Sequence, residues 1–184
     1  GIISICQLQG NDFAAVSTSE LIHIKNDKLK KYCHKSKLGI ADDEYINYVY
    51  QTPGQVGKVY ILTSKNVYIF DHEFCRGKRI PNLKTADYRI IMRLTKNLYF
   101  FGTYGQGYYL HDGVNWTAMP LDNKGFLKFA HTALVDTQNH VWFSSNNGLF
   151  RARIQDLINY TKDHHYEIFY YYYDRTSGFA TNEF

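Results

Sequence analysis

Val141-Trp-Phe-Ser-Ser-Asn-Asn-Gly-Leu-Phe150 is the stretch whose reading decides the fold. An apolar, aromatic run meets a short polar turn that closes on glycine, and a second apolar run follows at once. Asn and Gly supply turn conformations that other residues resist, so the segment reads as a tight antiparallel hairpin. The same form recurs three times upstream. Phe13-Ala-Ala-Val-Ser-Thr-Ser-Glu-Leu-Ile-His-Ile24 comes first, then Val59-Tyr-Ile-Leu-Thr-Ser-Lys-Asn-Val-Tyr-Ile-Phe70, then Leu98-Tyr-Phe-Phe-Gly-Thr-Tyr-Gly-Gln-Gly-Tyr-Tyr-Leu110. Aligned on their hairpins, Ala14, Tyr60, Tyr99 and Trp142 hold one place, at intervals of 46, 39 and 43 residues. Units of roughly 40–50 residues made of short strands mark a propeller, whose blades carry four strands each.

Each hairpin has a further apolar strand upstream: Ile2 to Cys6, Tyr45 to Tyr50, Arg89 to Leu94 and Phe129 to Val135. A weaker strand follows each hairpin, clearest at Asn115 to Met119 and, in the last unit, at His165 to Tyr173. Ile154, Leu157 and Ile158 stand at helical spacing between them, which predicts a short helix near 154–161. The expected architecture is all-β: a β-propeller fragment of about four four-stranded antiparallel blades. The blades fall at about 1–38, 39–83, 84–122 and 123–175, and 176–184 starts a further blade. The equivalence of Tyr60, Tyr99 and Trp142 predicts that at least two of these rings are largely buried between blades.

Composition agrees. Aromatic residues reach 17%, Tyr alone numbering 17, and such residues favour strands over helices. Apolar residues at 45% suffice for a packed core. No run of eighteen apolar residues occurs, so no membrane-spanning helix is expected. A net charge of +4 is too mild for a nucleic-acid binder. The one basic cluster, Lys28, Lys30, Lys31, Lys35 and Lys37, reads as a solvated strand and loop face; phosphate or anionic-glycan contact is its other reading. Cys6, Cys33 and Cys75 form no CxxC pair and allow at most one disulfide, with buried free thiols as the expectation.

The fourth unit, Asp136 to Phe150, followed by Tyr173-Asp-Arg-Thr-Ser-Gly-Phe-Ala-Thr-Asn-Glu-Phe184, resembles the two-component regulator propeller repeat. That repeat runs Asp-x-x-Gly-x-x-Trp-x-x-(Thr/Ser)-x-x-Gly-Leu and then an Asp-Gly-Leu-type turn. The resemblance is strong over 136–184, fair over 97–110 and weak in the first two units. Asn139-His140 stand where the repeat usually has Gly, Ser64 to Asn66 lack the turn glycine, and Ser177-Gly178-Phe179 replaces Asp-Gly-Leu. The repeat builds the periplasmic sensor regions of hybrid two-component histidine kinases of Bacteroidetes. The resemblance therefore implies a periplasmic, ligand-sensing segment of a larger inner-membrane receptor, packed against other blades of the parent ectodomain, with an oligosaccharide as ligand and any kinase activity elsewhere.

In a four-stranded meander, the turn between the second and third strands lies at the same end as the connection to the next blade. Loops on a rigid β scaffold are where binding residues gather. This rim carries Tyr104, Gln106, Asn146 and Asn147, an aromatic face and amides suited to a sugar, although turn chemistry also selects Asn here. No dinucleotide fingerprint, P-loop or G-x-S-x-G elbow occurs, and no catalytic residue, metal or cofactor is assigned. His164-His165 read as surface or packed histidines, Asp42-Asp43-Glu44 as a solvated loop, and the Tyr170 to Tyr173 run as a strand before a stacking platform. Two rival functions stay open: a propeller lyase or hydrolase acting on polysaccharide, and a protein-interaction platform. A four-blade piece also leaves two apolar blade faces uncovered, so a homodimer is expected.

Overall fold

The computed structural model describes residues 1–51, 58–71, 75 and 77–181. Four antiparallel sheets follow one another along the chain, each a meander of four strands in sequence order. The first holds β1 (Ser4–Gln7), β2 (Asp12–Val16), β3 (Glu20–Lys25) and β4 (Lys28–His34). The second holds β5 (Ile46–Tyr50), β6 (Lys58–Thr63), β7 (Val67–Asp71) and β8 (Gly77–Arg79). The third holds β9 (Asp87–Arg93), β10 (Tyr99–Tyr104), β11 (Gly107–His111) and β12 (Trp116–Ala118). The fourth holds β13 (Ala133–Val135), β14 (His140–Ser145), β15 (Gly148–Arg153) and β16 (Tyr171–Tyr173). One α-helix, α1 (Ile154–Lys162), bridges β15 and β16 and buries Ile154 and Leu157, as the spacing of its apolar residues predicts.

Two compact units divide the chain, Gly1–Tyr88 and Arg89–Phe184. In the first, Ala14, Val16, Leu21 and Cys33 form one core with Val59, Ile61, Tyr68 and Phe70. In the second, Phe100, Tyr108 and Leu110 pack with Val141, Phe143 and Phe150. Strand side chains alternate between faces, so a sheet covered on both sides must be apolar in consecutive residues. β6 shows this: Val59 to Thr63 are all buried.

One device recurs at every central hairpin. Ser17, Thr63, Thr103 and Ser145 stand where the second strand meets its turn. Thr103 Oγ1 donates to the Gly107 carbonyl at 2.8 Å and Ser145 Oγ to Gly148 at 3.5 Å, while Thr63 Oγ1 accepts from the backbone N–H groups of Lys65 at 3.2 Å and Asn66 at 2.9 Å. In the first sheet, Ser17 Oγ instead reaches the Glu20 carboxylate at 3.4 Å. Hydroxyls that bond their own turn favour turns over continued strand. Gly148 has φ 153, and a Cβ there would stand 2.5 Å from a Tyr172 ring carbon, so the last hairpin admits glycine alone.

Those hydroxyls also correct the alignment. Three residues before each lie Ala14, Tyr60, Phe100 and Trp142, so Phe100 rather than Tyr99 is the third equivalent. The burial forecast fails with it. Tyr60 and Phe100 are buried, but Tyr99 and Trp142 are only half-buried. Trp142 lies on the side of its sheet away from the core, with Arg151 over its ring at 5.1 Å and Tyr173 stacked at 5.5 Å.

Further expectations are corrected. Cys33 and Cys75 are joined in a disulfide, their Cα atoms 6.0 Å apart, because packing of the first sheet on the second brings β4 beside the approach to β8. Cys6 is free, and burial pushes its thiol up to about 11. Lys35 is buried rather than solvated, its Nζ donating to the carbonyls of Asp42 at 2.5 Å and Glu44 at 2.8 Å. Glu44 is buried as well, while Asp42 and Asp43 are exposed. The Glu44 carboxylate accepts from Thr63 Oγ1 at 2.5 Å, Asn66 Nδ2 at 2.8 Å and the Tyr68 hydroxyl at 3.0 Å, which satisfies its oxygens. Burial and this carboxylate push the Tyr68 hydroxyl up to about 12. The last strand is also shorter than expected, β16 covering only the end of the 165–173 stretch. Of the tail read as a new blade, 175–177 forms a single 3-10 turn and 182–184 lie outside the described residues.

Candidate functional site

Hairpin turns and inter-sheet connections do share one end of each sheet. The backbone of Lys35 bonds Ser19, that of Ser64 bonds Tyr45, and Ala86 bonds Lys65. In the second unit, Gly105 N donates to Lys128 O at 2.8 Å and Ala130 N to Thr103 O at 3.0 Å. These bonds fix the rim loops to one another, the last two closing an isolated antiparallel bridge between Tyr104 and Phe129.

On the rim of the second unit, the structure brings Tyr104 and Asn146 into one cluster through His131. The Tyr104 ring is 42% exposed. Its edges meet Phe129 at 5.0 Å and His131 at 5.8 Å, with the Arg89 guanidinium 5.5 Å over the ring. His131 Nε2 is hydrogen-bonded to Asn146 Oδ1. Gln106 is exposed in the turn that carries Tyr104. Asn147 faces another neighbourhood: its carbonyl accepts the Tyr172 hydroxyl at 2.6 Å.

Tyr172 opens onto a cleft of about 760 Å3 that the sequence reading did not delimit. One wall is the loop from Pro120 to Phe126, and the other is the segment from Tyr160 to Tyr172. Phe126, Tyr160, Tyr166, Tyr170 and Tyr172 give it an aromatic lining. The rings brace one another: Phe126 lies 5.7 Å from Tyr172, and Tyr172 lies 4.9 Å from Phe150. Tyr170 donates to the Pro120 carbonyl at 3.3 Å, tying the two walls together. Burial pushes the Tyr170 hydroxyl well above the ordinary phenol range, so it stays protonated as a donor.

Polar groups are spaced among these rings. Asp122 holds its own loop, accepting from Lys124 N at 3.0 Å and Leu127 N at 2.8 Å. Asn123, Lys124, His164, His165 and Glu167 also line the cleft and are exposed. The Tyr170 to Tyr173 run thus splits by strand alternation. Tyr170 and Tyr172 face the cleft, and Tyr171 and Tyr173 flank Arg151 on the other side. Among the described residues, no three His, Cys, Asp or Glu side chains converge as a metal site would require. Nor is any helix among the described residues long and apolar enough to cross a membrane.

No protein-family model matches this chain, and no curated protein does. Solved structures do match in fold. The extracellular domain of a hybrid two-component system from B. thetaiotaomicron superposes with a TM-score of 0.72 at 12% identity, covering 99% of this chain and 23% of that one. The extracellular domain of a one-component system from the same organism gives 0.64 at 13% identity, over 84% and 21%. Virginiamycin B lyase from Staphylococcus aureus gives 0.67 at 14% identity, over 93% and 55%. The chain therefore spans about a quarter of the sensor domains and about half of the lyase. Sensors and an enzyme share this architecture, so the likeness speaks to fold and not to activity. By fold, the chain is a stretch of β-propeller: four blades of four antiparallel strands with one helix between the last two strands.

Proposed function

We propose that this chain is a ligand-sensing segment in the periplasmic ectodomain of a hybrid two-component histidine kinase, and that it binds an oligosaccharide. The observation that carries the reading is the aromatic wall of the 760 Å3 cleft, interrupted by Asn123, Lys124 and Glu167. Flat rings take the C–H faces of sugars, and amides and charged groups take their hydroxyls. Tyr104, Gln106, Asn146 and Asn147 extend this chemistry along the rim. The Cys33–Cys75 disulfide supports a periplasmic setting, because such bonds persist in oxidising compartments. In this role the segment binds and does not catalyse; phosphotransfer belongs to another part of the receptor.

A second reading, a polysaccharide lyase or hydrolase, draws on His164, His165 and Glu167 in the same cleft, which could serve as acid and base. Calorimetric titration with a panel of oligosaccharides, run beside product analysis of the same mixtures, separates the two. The sensing reading expects saturable binding with intact sugar recovered, weakened in Tyr166→Ala. Cleaved product that disappears in Glu167→Gln decides for the enzyme. Absence of binding to every sugar overturns the sugar reading.

A further inference from the structure

Two sheet faces of this chain are apolar and open to solvent. On the first sheet, away from the core, Ile5, Ala15, Ile22 and Tyr32 stand in one row across β1 to β4, and Phe13 and Ile24 extend it. On the fourth sheet, the row away from the core is Leu134, Trp142, Arg151 and Tyr171 across β13 to β16. Ile5 is 57% exposed, Tyr32 53% and Leu134 56%. The two faces match in shape. Within the second unit, Phe100 of the third sheet meets Phe143 of the fourth at 5.5 Å. Counted from the turn hydroxyls, Trp142 holds the place of Phe100, and Ala15 holds the place of Phe143. The same packing sets Trp142 opposite Ala15, a large ring against a small side chain that lies between two isoleucines. They also match in charge. Arg151 forms no ion pair among the described residues, and its Nε is buried without a hydrogen-bond partner. Glu20, on the face of Ile22 and Tyr32, accepts from the Tyr32 hydroxyl at 3.0 Å and forms no ion pair among the described residues either.

We propose that the fourth sheet of one copy docks on the first sheet of a second copy, with Trp142 entering the hollow over Ala15. The contact is head-to-tail, each copy offering a different face. It repeats the sheet-on-sheet packing that the chain uses inside each of its two units. Covering these rings and aliphatic groups removes apolar surface from water, which supplies the attraction. Arg151 and Glu20 set which face meets which, since like faces would bring two cations or two anions together. The contact is independent of the sugar-binding reading.

The test is sedimentation equilibrium on the 184-residue chain, on Ile5→Arg, on Leu134→Arg and on an equimolar mixture of the two variants. Each variant spoils one face in every copy, so each alone should self-associate roughly tenfold or more weakly than the parent, a charge being buried without a partner. In the mixture, the intact fourth sheet of Ile5→Arg meets the intact first sheet of Leu134→Arg, and a dimer returns. Melting temperatures matching the parent exclude a folding defect; should either variant melt early, Ile5→Ser and Leu134→Ser take their places. A parent that stays monomeric at every concentration leaves these faces to other blades of a longer chain and overturns the proposal. Association that survives either variant, or a mixture that stays monomeric while the parent associates, overturns it as well.

Discussion

Phe143 and Trp142 are neighbours in one strand with opposite fates. Phe143 is fully buried against Phe100, Tyr108 and Phe150, whereas Trp142 is half-buried beside Arg151. Phe143→Ala should therefore cost about 3–5 kcal/mol in urea unfolding, and Trp142→Ala clearly less; the reverse order would show that the core lies on the other side of β14. The Trp142 indole serves a second purpose, donating to Asp136 Oδ2 at 2.8 Å. That bond, with the His140 and Gln138 backbone amides, lowers the Asp136 carboxyl from 3.8 to about 2. A carboxyl depressed in the folded state contributes stability above its unfolded value. The contribution shrinks below pH 3.8 and is gone once pH falls through about 2. Asp136→Asn should flatten the acid limb of a stability-against-pH curve in that window; an unchanged limb would remove Asp136 from the account. The Asp-to-Trp spacing of the repeat was legible in the sequence, but not which face of β14 the ring takes. Alternation gives two rows, and only the neighbouring sheet decides which row is covered.

At the scale of elements, hairpins were the most legible feature. Turn residues and apolar runs are local signals, and the central hairpin of each unit forms where they place it. The helix was readable for the same reason. What escaped the sequence depends on distant partners. The cleft is one case, since Pro120 and Tyr170 meet only after the last blade folds back. Glu44 is another, as a carboxylate in a polar run gives no sign that Thr63, Asn66 and Tyr68 will surround it. Glu44→Gln keeps the shape but places an NH2 where at least one donor now points, so a loss of roughly 1–3 kcal/mol is expected in thermal or denaturant melts. The disulfide escaped too, its cysteines lying 42 residues apart with no motif between them. Closing a loop of that length should stabilise the folded chain by roughly 3–4 kcal/mol. Melts with and without reductant, or of Cys75→Ser, measure this; identical midpoints would mean the bond is not formed in solution. Mass spectrometry of the protein alkylated under denaturing, non-reducing conditions should find one modified thiol, at Cys6.

The molecule as a whole presents apolar groups on edge strands. Ile3 and Ile5 are exposed at β1, and Leu134 and Val135 at β13, each the first strand of its sheet. Unpaired strand edges beside exposed apolar side chains favour association. Light scattering after size exclusion should show a mass that rises with protein concentration, and a monomer at every concentration would refute it. The Cys33–Cys75 bond has a further consequence when the chain is drawn out by its ends. Everything between the two cysteines, residues 34–74, is shunted out of the line of force and bears no load. In a single-molecule stretching experiment the fully extended oxidised chain should be shorter than the reduced one by roughly 140 Å, at 3.3–3.6 Å for each residue. A tether held through its two ends would thus feel most of the second sheet only after reduction, and the first two blades behave mechanically as one stapled block.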